Sequence, residues 1–157
     1  MAETFSAEAH VDLAAPPERV WRVLVEPDLV ARYMHGTSVE TDWQVGSPIV
    51  WRGEWQGRPY EDKGEVLEVS PPRRLAVTHW SAMTGEPDVP ASYHHVTYEI
   101  EDLGADRSRL TLTHGNAPSQ EAADGMVANG WRPMLEELRQ VAEAGDDAGA
   151  GENTVEG

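Results

Sequence analysis

The segment SYHHVTYEIEDLGADRSRLTLTH, residues 92–114, has the clearest period in the chain. His94, Val96, Tyr98 and Ile100 share one side of a two-residue alternation, Leu110, Leu112 and His114 share one side of a second, and Gly104 lies between the two runs. Successive side chains of a strand point to opposite faces, so each run reads as a half-buried strand with its apolar members inward. Upstream, the same punctuation recurs. Gly46, Gly57-Arg58-Pro59, Pro71-Pro72 and Gly85 to Pro90 separate further runs of strand character. Six strands are expected between Thr37 and Asn116, near 37–43, 47–55, 60–70, 74–81, 92–102 and 107–115, as an antiparallel meander with one solvated face. The segment from Gly85 to Pro90 is the longest turn and reads as a lip over one end of the sheet.

Before the meander, Phe5 to Ala15 alternates with Phe5, Ala7, Ala9, Val11 and Leu13 on one face, which predicts one more strand. Pro16 and Pro17 stop it, and Val20, Trp21, Leu24 and Val25 return at helical spacing until Glu26, before Pro27. A second short helix is expected from Asp28 to Met34, with Gly36 where a C-terminal cap belongs. After the meander, Ser119 is placed to cap a helix running to about Ala144, whose stripe is Val127, Trp131, Met134, Leu135, Leu138, Val141 and Ala142. Gly125 and Gly130 weaken the first turns of that helix by about 1 kcal/mol each relative to alanine. Residues 145–157 are glycine-rich and acidic with almost nothing to bury, so a disordered tail is expected there, leaving 1–144 as one domain.

Composition narrows the function classes. The chain has 157 residues, enough for one complete core, and its 28 acidic against 12 basic residues give a formal charge of −16. That field repels phosphate backbones and anionic lipid surfaces, so nucleic acid is not expected as a partner. No run approaches the roughly 18 to 20 apolar residues needed to cross a bilayer, and the N-terminus lacks the regions of a secretion signal, so no membrane insertion and a cytoplasmic location are expected. Zero cysteines exclude disulfides, thiolate catalysis and Cys-ligated metal centres. Phosphate-binding loops, dinucleotide glycine motifs, HExxH helices and nucleophile elbows are also missing from the sequence.

The order of strand, two short helices, six strands and long C-terminal helix is that of a helix-grip fold, and several segments support a family resemblance. They are Ala15-Pro16-Pro17-Glu18-Arg19-Val20-Trp21, Gly64 to Val69 leading to Pro71-Pro72-Arg73-Arg74-Leu75, Arg109 to His114, and Gly130-Trp131 followed by Leu135 and Leu138. In their order and spacing the chain resembles the SRPBCC superfamily, also called START or birch-pollen-allergen-like, within the branch named after the activator of the heat-shock-protein ATPase. The resemblance spans residues 8 to 142. It implies an α+β domain in which a curved seven-stranded antiparallel sheet wraps a long C-terminal helix and encloses a cavity for an apolar or amphipathic small molecule.

Parity within the expected strands selects the residues that face such a cavity. In an antiparallel meander the end of strand 74–81, the start of 92–102 and the end of 107–115 meet at one end of the sheet. Val77 and His79, then His94, Val96 and Tyr98, then Leu112 and His114 therefore share the inner face, which brings three imidazoles together. They are either a cluster that binds a metal or moves protons, or separate hydrogen-bonded pocket histidines; the second reading is adopted, with no metal and no cofactor. Trp51 and Trp55 read as an aromatic wall or as core packing, and Met126, Trp131 and Met134 face the same space from the last helix. Glu61, Asp62, Glu65 and Glu68 read as a solvated face.

The leading functional expectation is a non-catalytic carrier or sensor of a small hydrophobic or amphipathic molecule, with the question of enzymatic activity left open. The alternative is a cyclase, aromatase or hydrolase using His79, His94, His114 or Tyr98 as acid or base. Third comes a co-chaperone of a heat-shock ATPase, which the family name implies; no additional N-terminal domain of the eukaryotic activator's kind is expected before residue 5. A homodimer is left open.

Overall fold

A computed structural model describes residues 5–34, 36–82 and 85–144, with Trp55 described in its backbone alone. In chain order the elements are β1 (Phe5–Leu13), α1 (Pro17–Val25), α2 (Pro27–Tyr33), β2 (Ser38–Glu40), β3 (Pro48–Trp55), β4 (Arg58–Ser70), β5 (Arg74–Ser81), β6 (His94–Gly104), β7 (Arg107–Ala117), α3 (Gln120–Met126) and α4 (Arg132–Ala144). A π turn, Val127–Trp131, joins α3 to α4. The tail expected to be disordered, 145–157, lies outside the described residues.

The strands form one antiparallel sheet in the order β1-β7-β6-β5-β4-β3-β2, a meander from β2 to β7 with β1 returning beside β7. The sheet curves around the C-terminal helix, the α+β helix-grip arrangement expected from the order of elements. Inward strand residues such as Ile49, Val66, Val96, Leu110 and Leu112 meet Leu135 and Leu138 of α4 and Val20 of α1, all nearly or completely buried. Each such side chain removed from water contributes about 1.5–3 kcal/mol, so the core holds the helix to the sheet.

Two elements differ from expectation. The strand expected at 37–43 is reduced to Ser38–Glu40, and Trp43 has φ 59°, a left-handed conformation that extended pairing does not accommodate. The last helix is also not one α-helix. At its π turn the Arg132 N–H reaches back five residues to the Val127 carbonyl, across Gly130, one of the two glycines that weaken this stretch. One extra residue in the turn changes where Trp131 lies relative to the stripe of α4.

Arg19, which the sequence marks only as part of a helix start, is buried and ties α1 to the end of α4. Its guanidinium donates to the carbonyls of Val141 and Ala142, at 3.1 and 3.3 Å. Those carbonyls belong to the last turn of a helix, where backbone acceptors lack intrahelical donors and a cation is favoured. Arg19→Met keeps the apolar stem and removes the donors, so a loss of about 2–3 kcal/mol is expected in urea unfolding at unchanged slope. A loss below about 0.5 kcal/mol would show that the carbonyls are served equally well by water.

Candidate functional site

At the end of the sheet where β5 stops and β6 starts, a cavity of about 360 Å³ opens between the strands and the C-terminal helix. His79, Trp80 and Ser81 of β5, His94 of β6 and His114 of β7 line it from the sheet; Gly125, Met126, Asn129, Gly130 and Trp131 line it from the helix. Glu86 completes the rim from the loop expected to be a lip. That loop is pinned: the Trp80 indole donates to the Glu86 carbonyl at 3.2 Å, and Asp88 accepts from Tyr93 and pairs with Lys63. A smaller cavity of about 40 Å³ lies further in, lined by Trp51, Asp62, Val77, Val96 and Tyr98 among others. His79 and Trp131 line both spaces, so the two cavities meet at those side chains.

The imidazoles do not act as three equals. His94 Nδ1 lies 2.7 Å from His114 Nε2, the Trp131 indole N–H donates to His114 Nδ1 at 2.8 Å, and His94 Nε2 lies 3.0 Å from a Glu86 carboxylate oxygen. An indole nitrogen can only donate, which fixes the rest. His114 accepts at Nδ1 and therefore carries its proton on Nε2, donating to His94 Nδ1; His94 then carries its proton on Nε2 and donates to Glu86. An imidazolium at His94 would need Nε2 of His114 as acceptor, forcing the His114 proton onto Nδ1, against the indole N–H. The indole N–H thus favours a neutral His114, and burial followed by the neighbouring His94 and His79 lowers its pKa to about 4.

His79 stands apart. Its Nε2 lies 2.9 Å from Asp62 Oδ2, and its ring packs edge-on against Trp51 with centroids 5.1 Å apart. Asp62 is the clearest departure from the sequence reading: its side chain is 16% exposed and faces the inner cavity instead of water. Its second oxygen, Oδ1, is buried with no hydrogen-bond partner among the described residues. The signal exists in the sequence, because Asp62 has the parity of Val66, which is completely buried four residues along the same strand. For Glu86 there is no such signal, since it stands in a loop without a period.

The other expected site residues divide by depth. Met126 lines the outer cavity and Trp51, Val77, Val96 and Tyr98 the inner one. Leu112 is completely buried in the core and Met134 packs against that core. Trp55 pairs with Arg58 at the tip of the β3–β4 hairpin; its expected role in the pocket concerns a side chain outside the described set. Burial raises the Tyr98 phenol well above its ordinary pKa, so it is a weak acid and stays protonated. Among the described residues, no group of three or more His, Asp or Glu side chains is arranged to hold a metal ion. No helix of the described residues is long and apolar enough to cross a membrane.

Comparison with known proteins agrees with this architecture. A family model described as "Activator of Hsp90 ATPase homolog 1-like protein" matches residues 14–143. No curated protein matches the chain. Among solved structures, the solution structure of a Cytophaga hutchinsonii protein is 38% identical, covering 92% of this chain and 97% of that one, with a TM-score of 0.76. The crystal structure of an Hsp90 activator from Plasmodium falciparum is 23% identical, covering 87% of this chain and 95% of that one, with a TM-score of 0.68. A protein from Arthrobacter aurescens, 19% identical over 90% of this chain and 88% of its own, has a TM-score of 0.72. The last two similarities concern the fold alone. With the family model matched over most of its length, the chain belongs to the Activator of Hsp90 ATPase homolog 1-like family, an SRPBCC-type family.

Proposed function

We propose that this protein binds an apolar or amphipathic small molecule in the cavity between its sheet and its C-terminal helix. The observation that carries the reading is the cavity itself, about 360 Å³ and walled by Trp80, Met126 and Trp131 with a few polar groups at one side. Small-molecule sites fall at roughly 300–1,000 Å³ and combine an apolar lining with a few placed polar groups. The Glu86–His94–His114–Trp131 chain then supports the site, because it satisfies two buried imidazoles and holds the Trp131 ring where the two cavities meet.

A second reading, acid–base catalysis, rests on His79. His94 and His114 engage both ring nitrogens, and Tyr98 is too weak an acid, but the proton that His79 gives to Asp62 leaves Nδ1 free to accept. A carboxylate-oriented imidazole beside a cavity has the geometry of a general base.

One experiment addresses both readings. Native mass spectrometry of the purified protein under gentle and denaturing conditions is expected to show a retained small molecule, and added aromatic compounds are expected to change tryptophan emission saturably, because Trp80 and Trp131 line the cavity. Recovery of the added compound unchanged supports a carrier, and recovery of a product supports catalysis. A protein that retains nothing and gives no saturable response across a panel of apolar compounds is not a small-molecule binder.

A further inference from the structure

The inner cavity contains an unsatisfied charge-bearing group in aromatic surroundings. Asp62 offers two carboxylate oxygens: Oδ2 accepts from His79 at 2.9 Å, while Oδ1 is buried with no partner among the described residues. An acceptor shielded from water and left unpaired is destabilising, and an ionised one more so. Around it stand the rings of Trp51, Tyr98 and Trp131, whose faces attract cations. Tyr98 is itself a lining residue, and its hydroxyl oxygen carries lone pairs. At about 40 Å³ the cavity admits a head group and no ring system. It adjoins the larger cavity at His79 and Trp131, and an apolar body has room there.

We propose that the inner cavity is a subsite for the protonated amine of an otherwise apolar ligand whose body occupies the outer cavity. This rests on the small-molecule reading above and adds the ligand's chemical class. An ammonium group supplies what Asp62 Oδ1 lacks, a donor that also carries the opposite charge, and a charge-assisted bond is stronger than the one a neutral hydroxyl forms. The aromatic lining stabilises the remaining positive charge. The formal charge of −16 favours the approach of a cation and disfavours that of a fatty acid or another anion. Glu86, the carboxylate at the outer cavity, is 29% exposed and stands at the rim, whereas Asp62 lines the inner cavity with a buried oxygen that has no partner among the described residues.

The test is isothermal titration of the full chain at pH 7 with three compounds that share one body: 1-naphthylmethylamine, 1-naphthalenemethanol and 1-methylnaphthalene. The amine is expected to bind about tenfold or more tighter than either neutral compound. In Asp62→Asn, which keeps the shape and removes the charge, that preference is expected to fall below about twofold while binding of 1-methylnaphthalene is retained. The comparison on the unaltered protein needs no variant, so it decides the matter even if Asp62→Asn fails to fold. If the three bind alike, or the alcohol equals the amine, the subsite is not an ammonium site although the small-molecule reading stands. If none binds, both readings fall. If the amine preference survives in a folded Asp62→Asn, the charge is recognised elsewhere and the assignment to Asp62 is overturned.

Discussion

Gly64→Ala is expected to destabilise the protein by more than about 3 kcal/mol, a large part of the roughly 5–15 kcal/mol that holds a domain of this kind together. A Cβ at position 64 would lie 1.7 Å from the Thr78 carbonyl oxygen and 2.5 Å from its carbon, far inside any van der Waals contact, and both atoms belong to backbone that cannot rotate away. The strands come this close because the ladder is interrupted here: the Glu65 N–H bonds the Thr78 hydroxyl at 2.9 Å. Relief requires moving β4 from β5, the ladder that joins β2, β3 and β4 to the rest of the sheet. Urea unfolding monitored by circular dichroism measures the loss. Gly130→Ala is the control, since a Cβ there meets nothing within 4 Å, and it is expected to be neutral or stabilising by up to about 1 kcal/mol. A loss below about 1 kcal/mol in Gly64→Ala would mean that the two strands are not in this contact in solution.

The second large effect is acid sensitivity centred on His114. Its pKa is lowered from 6.5 to about 4 in the folded protein, first by burial and then by His94 and His79. Between those values the unfolded chain takes up a proton that the folded chain refuses, so protonation favours unfolding. The contribution is fully present above pH 6.5 and is lost as pH falls through the folded pKa. Its size is about 2–3 kcal/mol, the shift being converted at about 1.4 kcal/mol per unit and discounted for coupling to His94. NMR titration of the imidazole resonances is expected to leave His114 neutral down to about pH 4, and unfolding free energies are expected to decline over the same window. Trp131→Phe removes the indole donor that enforces the neutral tautomer, so this variant is expected to lose stability at pH 7 and to show a shallower decline with acid. A His114 that titrates near 6.5 would show that the chain of N–H donors does not constrain it.

The two effects differ in how far the sequence anticipates them. Gly64 stands within a segment that resembles the family, but nothing in the sequence announces a carbonyl opposite it. Parity alone places His94 and His114 inward at one end of the sheet, and they are both inward and buried there. Their bond to each other and to Trp131 is not legible, because it depends on a strand pairing that sets Val96 opposite His114 and on a π turn that presents the indole. Asp62 departs from expectation for another reason. Glu61, Asp62, Glu65 and Glu68 look like one charged face by composition, although neighbours on a strand point opposite ways; Glu61 pairs with Arg52 outside, while Asp62 turns in to His79.

The order of elements, the apolar faces and the inward parity of the pocket strands follow from periodicity, because a side chain's face is set by its own strand's geometry. The division into an outer and an inner cavity, the pairing of His79 with Asp62, the recruitment of Glu86 from a loop, and the direction of the hydrogen bonds ending at Trp131 do not follow from it. Each depends on atoms from segments distant along the chain meeting within about 3 Å, a distance at which hydrogen bonding acts and which no period along the chain encodes.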